Sequence, residues 1–105
     1  MNNEQLEQKI AALPFPKVTK EAINDRILKA DYLVLPETTV TICSITMRNG
    51  FSFRGESACV DPRNFDKEIG KELAYKDAFG KIWAFEGYLL AERRFQAEQP
   101  PQQPE

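Results

Sequence analysis

Near the amino terminus, apolar positions recur at helical spacing. Leu6, Ile10 and Leu13 mark a short amphipathic helix over about residues 3–12, stopped by Pro14 and Pro16. Thr19 has the chemistry of an N-cap, and TKEAINDRILKA follows it with Ala22, Ile23, Ile27 and Leu28 on one side, so a second short helix is expected there. At DYLVLPETTV the helix formers give way to apolar and β-branched residues interrupted by Pro36. That pattern reads as a brief extended segment, a turn, then a strand.

The strongest local signal is TVTICSITMRNGFSFRGESACV, two β-rich runs around Asn49-Gly50. That dipeptide is favoured in a two-residue hairpin turn because both positions there need a positive φ. Such a turn sets Arg48 opposite Phe51. It places Val40, Ile42, Phe51, Phe53 and Cys59 on one face, and Cys43, Ile45, Met47, Ala58 and Val60 on the other. The two cysteines then fall on opposite faces, where they cannot bridge within one sheet, and both read as small core residues.

From Asp61 to about Gln96 the pattern is helical, with Asp61 as cap, Pro62 at the first position and Asn64 as a competing cap. Ala74, Ala78, Ile82, Phe85 and Leu89 line one face of it; Phe65, Ile69, Phe79, Trp83 and Leu90 line the next. One long helix and a helical hairpin broken near residues 77–80 both fit. The closing QAEQPPQQPE is polar and proline-rich, the composition of a disordered tail over 97–105. The fold class is therefore α+β: short amino-terminal helices, an antiparallel hairpin or small sheet, and a long carboxyl-terminal helix, in one domain over 1–96.

Composition narrows the chemistry. Hydrophobic residues make up 42% of the chain and charged ones 29%, as in an ordinary globular domain. The net charge of −2 argues against a general nucleic-acid or membrane-surface binder, and no apolar run reaches membrane-spanning length. The polar start MNNEQLEQK has no apolar stretch of signal-peptide type, so a cytoplasmic protein is expected. There is no histidine, which removes the commonest general base and the usual nucleophilic triads; two cysteines are too few for a metal cage. The expectation is a protein that is not an enzyme and carries neither cofactor nor metal.

Two sets of residues stand out as candidates. Gly80, Ala84, Gly87 and Ala91 share one helix stripe, and glycine inside a helix costs about 1 kcal/mol relative to alanine. Close approach of another helix would compensate, either from the same chain or from a second copy in a homo-oligomer. The other set is cationic and aromatic. Arg48, Arg54 and Arg63 are candidate phosphate ligands, Asn64 and helix-terminal amides candidate donors, and Phe53 and Trp83 candidate stacking platforms, with Phe51 and Tyr88 as further aromatics. The plainer reading of the charges in GESACVDPRNFD is helix capping and a solvated loop.

Together, "TVTICSITMRNGF", "GESACVDPRNFD", "GKELA" and "KIWAFEGYLL" resemble a family of small tailed-phage proteins named after gene products forty-nine and sixty-six of two enterobacterial podophages. The resemblance covers about residues 38–90 and implies a phage origin rather than a particular reaction. A second likeness is architectural. The phage sponges that defeat the Thoeris and CBASS defences are similar in being small, homo-oligomeric and cytoplasmic, and the Thoeris type places β structure before helices. Size, element order and phage context carry that likeness; no ligand-binding motif matches. The expected function is sequestration of a nucleotide-derived signal, such as a cyclic nucleotide or a cyclic ADP-ribose-like molecule, by a homo-oligomer that counteracts host defence. The alternative is a protein-binding inhibitor of a host enzyme acting through the helix face around Trp83 and Tyr88.

Overall fold

The computed structural model describes residues 1–100. Helix α1 spans Asn3–Ala11 and is closed by a capping box between Asn2 and Gln5. None of its residues is buried. Helix α2, Lys20–Arg26, begins at Thr19, whose hydroxyl accepts the Ala22 N–H at 3.1 Å. It is shorter than its sequence suggests. Ile27 and Leu28, expected on its apolar side, instead open strand β1, Ile27–Val34. Tertiary pairing overrides helical propensity here: the Arg26 carbonyl accepts the Arg48 N–H at 2.8 Å, and Ile27 pairs with Met47.

Strands β1, β2 (Val40–Met47) and β3 (Ser52–Ala58) form an antiparallel meander with β2 in the centre. Pro36 and Glu37 turn the chain between β1 and β2, the Thr38 N–H reaching the Leu35 carbonyl at 3.2 Å. The second turn differs by one residue from the one that Asn49-Gly50 suggests. Met47 pairs with Phe51 and the loop holds three residues, with Gly50 alone at positive φ, +91°. Asn49 stays at negative φ and spends its side chain on the Phe51 N–H at 3.0 Å. A one-residue change in register exchanges faces along a whole strand. Phe53 therefore joins Cys43, Ile45 and Met47 on the covered face, rather than Val40 and Ile42.

After β3, Asp61 caps a single 3-10 turn, Pro62–Asn64, and not the long helix. Helix α3 begins at Lys67, where Asp66 Oδ1 accepts the N–H groups of Glu68 and Ile69 at 2.8 and 3.2 Å. It runs unbroken to Glu98, so it is one helix and not a hairpin. The last five residues of the expected tail, 101–105, lie outside the described residues.

Helix α3 crosses β2 and β3 on one face of the sheet. Ala74 and Ala78 seat it close, and Phe79 and Ile82 fill the space beside Ile45, Cys43 and Phe53, while Ile23 of α2 closes the end. Full burial of Ile45 and Ile82 contributes about 2 kcal/mol each. Beyond Ile82 no residue of α3 is buried. With α1 also unpacked, the radius of gyration is 18.2 Å, against roughly 13 Å for a compact domain of this size. No helix among the described residues is long and apolar enough to cross a membrane.

Candidate functional site

Two grooves flank α3. The first lies between the hairpin loop and the outer half of the helix. Its floor is an aromatic cluster in which the Phe53 ring centroid lies 5.2 Å from Phe51 and 5.1 Å from Phe85, both edge to face. Phe51, Phe85 and Tyr88 remain 54%, 58% and 71% exposed. Arg26 and Arg48 stand at the rim. Arg48 is held by its Nε, which donates to the Asp25 carbonyl at 2.6 Å, and Arg26 meets Glu86 at 3.4 Å. The groove encloses about 530 Å³, within the ~300–1,000 Å³ typical of small-molecule sites. The hairpin turn and the helix set aromatic rings beside guanidinium groups here. That combination can stack on a flat ring and meet an anion attached to it.

The second groove, about 540 Å³, lies between β1 and the other flank of α3. Tyr32, Tyr75, Phe79 and Trp83 line it with Lys20, Lys71 and Lys76, offset by Glu68 and Glu72. Lys71 Nζ sits 5.6 Å from the Tyr32 ring centroid. Burial pushes the Tyr32 and Tyr75 phenols above their ordinary values, and it pushes the Cys43 thiol up as well, against the opposing influence of the nearby Tyr32 hydroxyl. All three groups are neutral around pH 7; the two phenols line the groove and offer it hydrogen bonds without negative charge, while Cys43 is fully buried.

The residues singled out from sequence are not gathered into one place within a chain. Arg48 and Phe53 share the first groove, and Trp83 lies in the second. Arg54 projects from the opposite sheet face to Phe53 and donates to Ser52 Oγ at 2.9 Å. Arg63 and Asn64 sit in the 3-10 turn, beyond the far end of β3 from the hairpin loop. Arg63 is already engaged: its Nη2 meets Asp61 Oδ2 at 2.6 Å and its Nε meets Oδ1 at 3.0 Å. That pair lowers the Asp61 carboxyl below its usual range and raises the guanidinium. The GESACVDPRNFD stretch is thus a sheet-to-helix connection with its cation paired, and Cys59 is half-buried with its thiol directed to the Asp61 carbonyl at 3.1 Å.

Sequence reasoning did not mark Arg26 or Phe85 as site residues of the first groove, nor Tyr32 and Tyr75 of the second. Phe85 reads as a core position by helical spacing, and only the end of the sheet near Ile82 leaves it uncovered. The small-residue stripe is likewise open: a Cβ on Gly80 or Gly87 would meet nothing within 4 Å. The intrachain packing weighed for that stripe does not occur among the described residues.

No curated protein and no solved structure matches the chain. A protein-family match does exist, over residues 18–94, which runs from just before α2 through most of α3 and takes in both grooves while leaving out α1. The chain belongs to the phage protein (N4 Gp49/phage Sf6 gene 66) family.

Proposed function

We propose that this phage-family chain is a non-enzymatic accessory protein of the host cytoplasm that counteracts host defence by sequestering a nucleotide-derived signal, and that it works as a homo-oligomer. The observation that supports this reading most is the first groove, where exposed Phe51, Phe85 and Tyr88 surround Phe53 beside Arg48 and Arg26. A nucleotide has a base to stack and phosphates to neutralise, and the groove offers rings and guanidinium groups together, Arg26 being paired with Glu86 and Arg48 having no carboxylate partner among the described residues. Within one chain the ligand contacts fall to Arg48 and Phe53. Arg54, Arg63, Asn64 and Trp83 reach the same ligand only from a second copy. The Gly80, Ala84, Gly87 and Ala91 stripe, open in one chain, is a contact for that copy.

Isothermal titration against cyclic dinucleotides, cyclic trinucleotides and cyclic ADP-ribose isomers tests the reading. Saturable heat with at least one of them is expected, and no heat with any would overturn it. The alternative, inhibition of a host enzyme through α3, is favoured by one observation: the helix outruns the sheet with Phe85, Tyr88 and Phe95 exposed. Trp83 and Tyr88 line different grooves, so such a partner would have to wrap the helix. A host enzyme that loses activity on addition of the pure protein, and keeps it with Phe95→Ala, would decide for that alternative.

A further inference from the structure

The two edges of the sheet are finished differently. The Met47 N–H donates to the Phe51 carbonyl and the Leu35 N–H to the Val40 carbonyl, which fixes the alternation of hydrogen bonds along both strand pairs. On β3, Arg54 and Glu56 turn their backbone groups away from β2, and α3 takes one group from each. Asp77 Oδ2 accepts the Glu56 N–H at 2.9 Å, and Lys81 Nζ donates to the Arg54 carbonyl at 2.6 Å. No strand can add to that edge without displacing both side chains.

On β1 the register gives Lys29, Asp31 and Leu33 to β2, so Ala30, Tyr32 and Val34 turn their N–H and C=O groups outward. Among the described residues no side chain caps them. Helix α3 lies chiefly over β2 and β3, so the same strand is also thinly covered on its helix side, where Tyr32 is 40% exposed. A bulge at Leu28 disturbs only the start of the strand; from Lys29 onward the pairing is regular. An uncapped row of this kind is a template for another strand.

We propose that β1 pairs antiparallel with β1 of a second copy about a two-fold axis at Ala30, giving a six-stranded sheet that carries both α3 helices on one face. Charge selects both the occupant and the register. Lys29 and Asp31 project on the same open face, where they meet at 3.1 Å within the chain. With the axis at Ala30, each Lys29 stands directly opposite the partner's Asp31, twice by symmetry. A two-residue slip in one direction sets Asp31 against Asp31, and in the other it sets Lys29 against Lys29; like charges directly opposite disfavour both. Lysine on an edge strand ordinarily discourages pairing, but here each copy carries the compensating carboxylate two residues on. The second groove opens beside this edge, so its copy faces it across the axis and Tyr32, Tyr75 and Trp83 gain a second wall. The inference rests on the homo-oligomer of the proposed function and names one of its contacts; it is independent of the ligand.

Light scattering of the pure protein should give an even multiple of the 12.0 kDa chain. Ala30→Pro removes an N–H that β2 does not use, so the single chain keeps its fold by circular dichroism while the particle mass falls. Asp31→Lys should lower the mass as well, and Lys29→Asp with Asp31→Lys together should restore it. A monomeric wild type would overturn both this pairing and the homo-oligomer. An oligomer whose mass Ala30→Pro and Asp31→Lys leave unchanged would overturn the pairing alone.

Discussion

Gly55 of β3 lies flat against the backbone of Ala78 in α3. A Cβ built on Gly55 would fall 2.8 Å from the Ala78 Cα and 2.5 Å from the Ala74 carbonyl oxygen. Main chain cannot yield as a flexible side chain does, so the helix would have to lift from the sheet. Gly55→Ala is therefore expected to cost about 3 kcal/mol, near the upper end for overpacking, and to lower Tm by on the order of 15 °C. Thermal unfolding followed by circular dichroism measures it. A loss under about 0.5 kcal/mol would show that helix and sheet are not seated this closely.

Gly87 gives the opposite expectation from the same residue type. It is helical and has nothing within 4 Å of its missing Cβ, so Gly87→Leu meets no clash in the single chain. Leucine is also the better helix former by close to 1 kcal/mol. Helicity and monomer stability should hold or rise, while the oligomer loses mass if the stripe packs on a second copy. Light scattering beside a thermal melt separates the two effects. Unchanged mass would remove Gly87 and its neighbours Gly80, Ala84 and Ala91 from the interface.

Asp61 and Arg63 form a surface pair whose titration is readable. Three guanidinium contacts and the Arg63 N–H at 2.9 Å hold the Asp61 carboxyl below its ordinary 3.8. A depressed carboxyl contributes its stabilisation of the turn fully above pH 3.8, and loses it as the pH falls through the lower folded value. The carboxyl resonance of Asp61, followed by NMR, should show a midpoint under 3.8, and Arg63→Ala should move it upward without restoring it fully, because the backbone donor remains. An identical midpoint in both proteins would mean that the pair does not form in solution. In either copy, a phosphate reaches Arg63 only by displacing the Asp61 carboxylate.

Element types were readable because their patterns are local. Leu6 and Ile10, Thr19, the β-branched run around Ile45 and the long apolar surface of α3 each announce their state within a few residues. What escaped was decided by partners far along the chain. Ile27 and Leu28 leave the helix because the Arg26 carbonyl is claimed by Arg48. Asn49-Gly50 turns with one residue more than its dipeptide suggests, since Asn49 uses its side chain on Phe51 and only Gly50 takes positive φ. Asp66 rather than Asp61 caps α3 because the 3-10 turn intervenes. The groove was half legible for the same reason: aromatic residues are visible in sequence, but the place where the sheet ends under α3 is not.

Phe85 is where that groove becomes testable. It bridges Phe51 and Phe53, with ring centroids 6.0 and 5.1 Å away, yet more than half of it faces solvent. Removing a side chain so exposed takes little from the core, so Phe85→Ala should change stability by no more than about 1 kcal/mol. Stacking on a base is worth roughly 1–3 kcal/mol, so the same substitution should weaken binding of whichever cyclic nucleotide or cyclic ADP-ribose isomer gives heat by about tenfold or more. Arg48→Ala should weaken it further for ligands with more phosphates and less for those with fewer. Titration of both variants against the wild type, with melts as the control, reads the difference. Full affinity in Phe85→Ala would place the ligand elsewhere, and the second groove around Tyr75 and Trp83 would become the site to test.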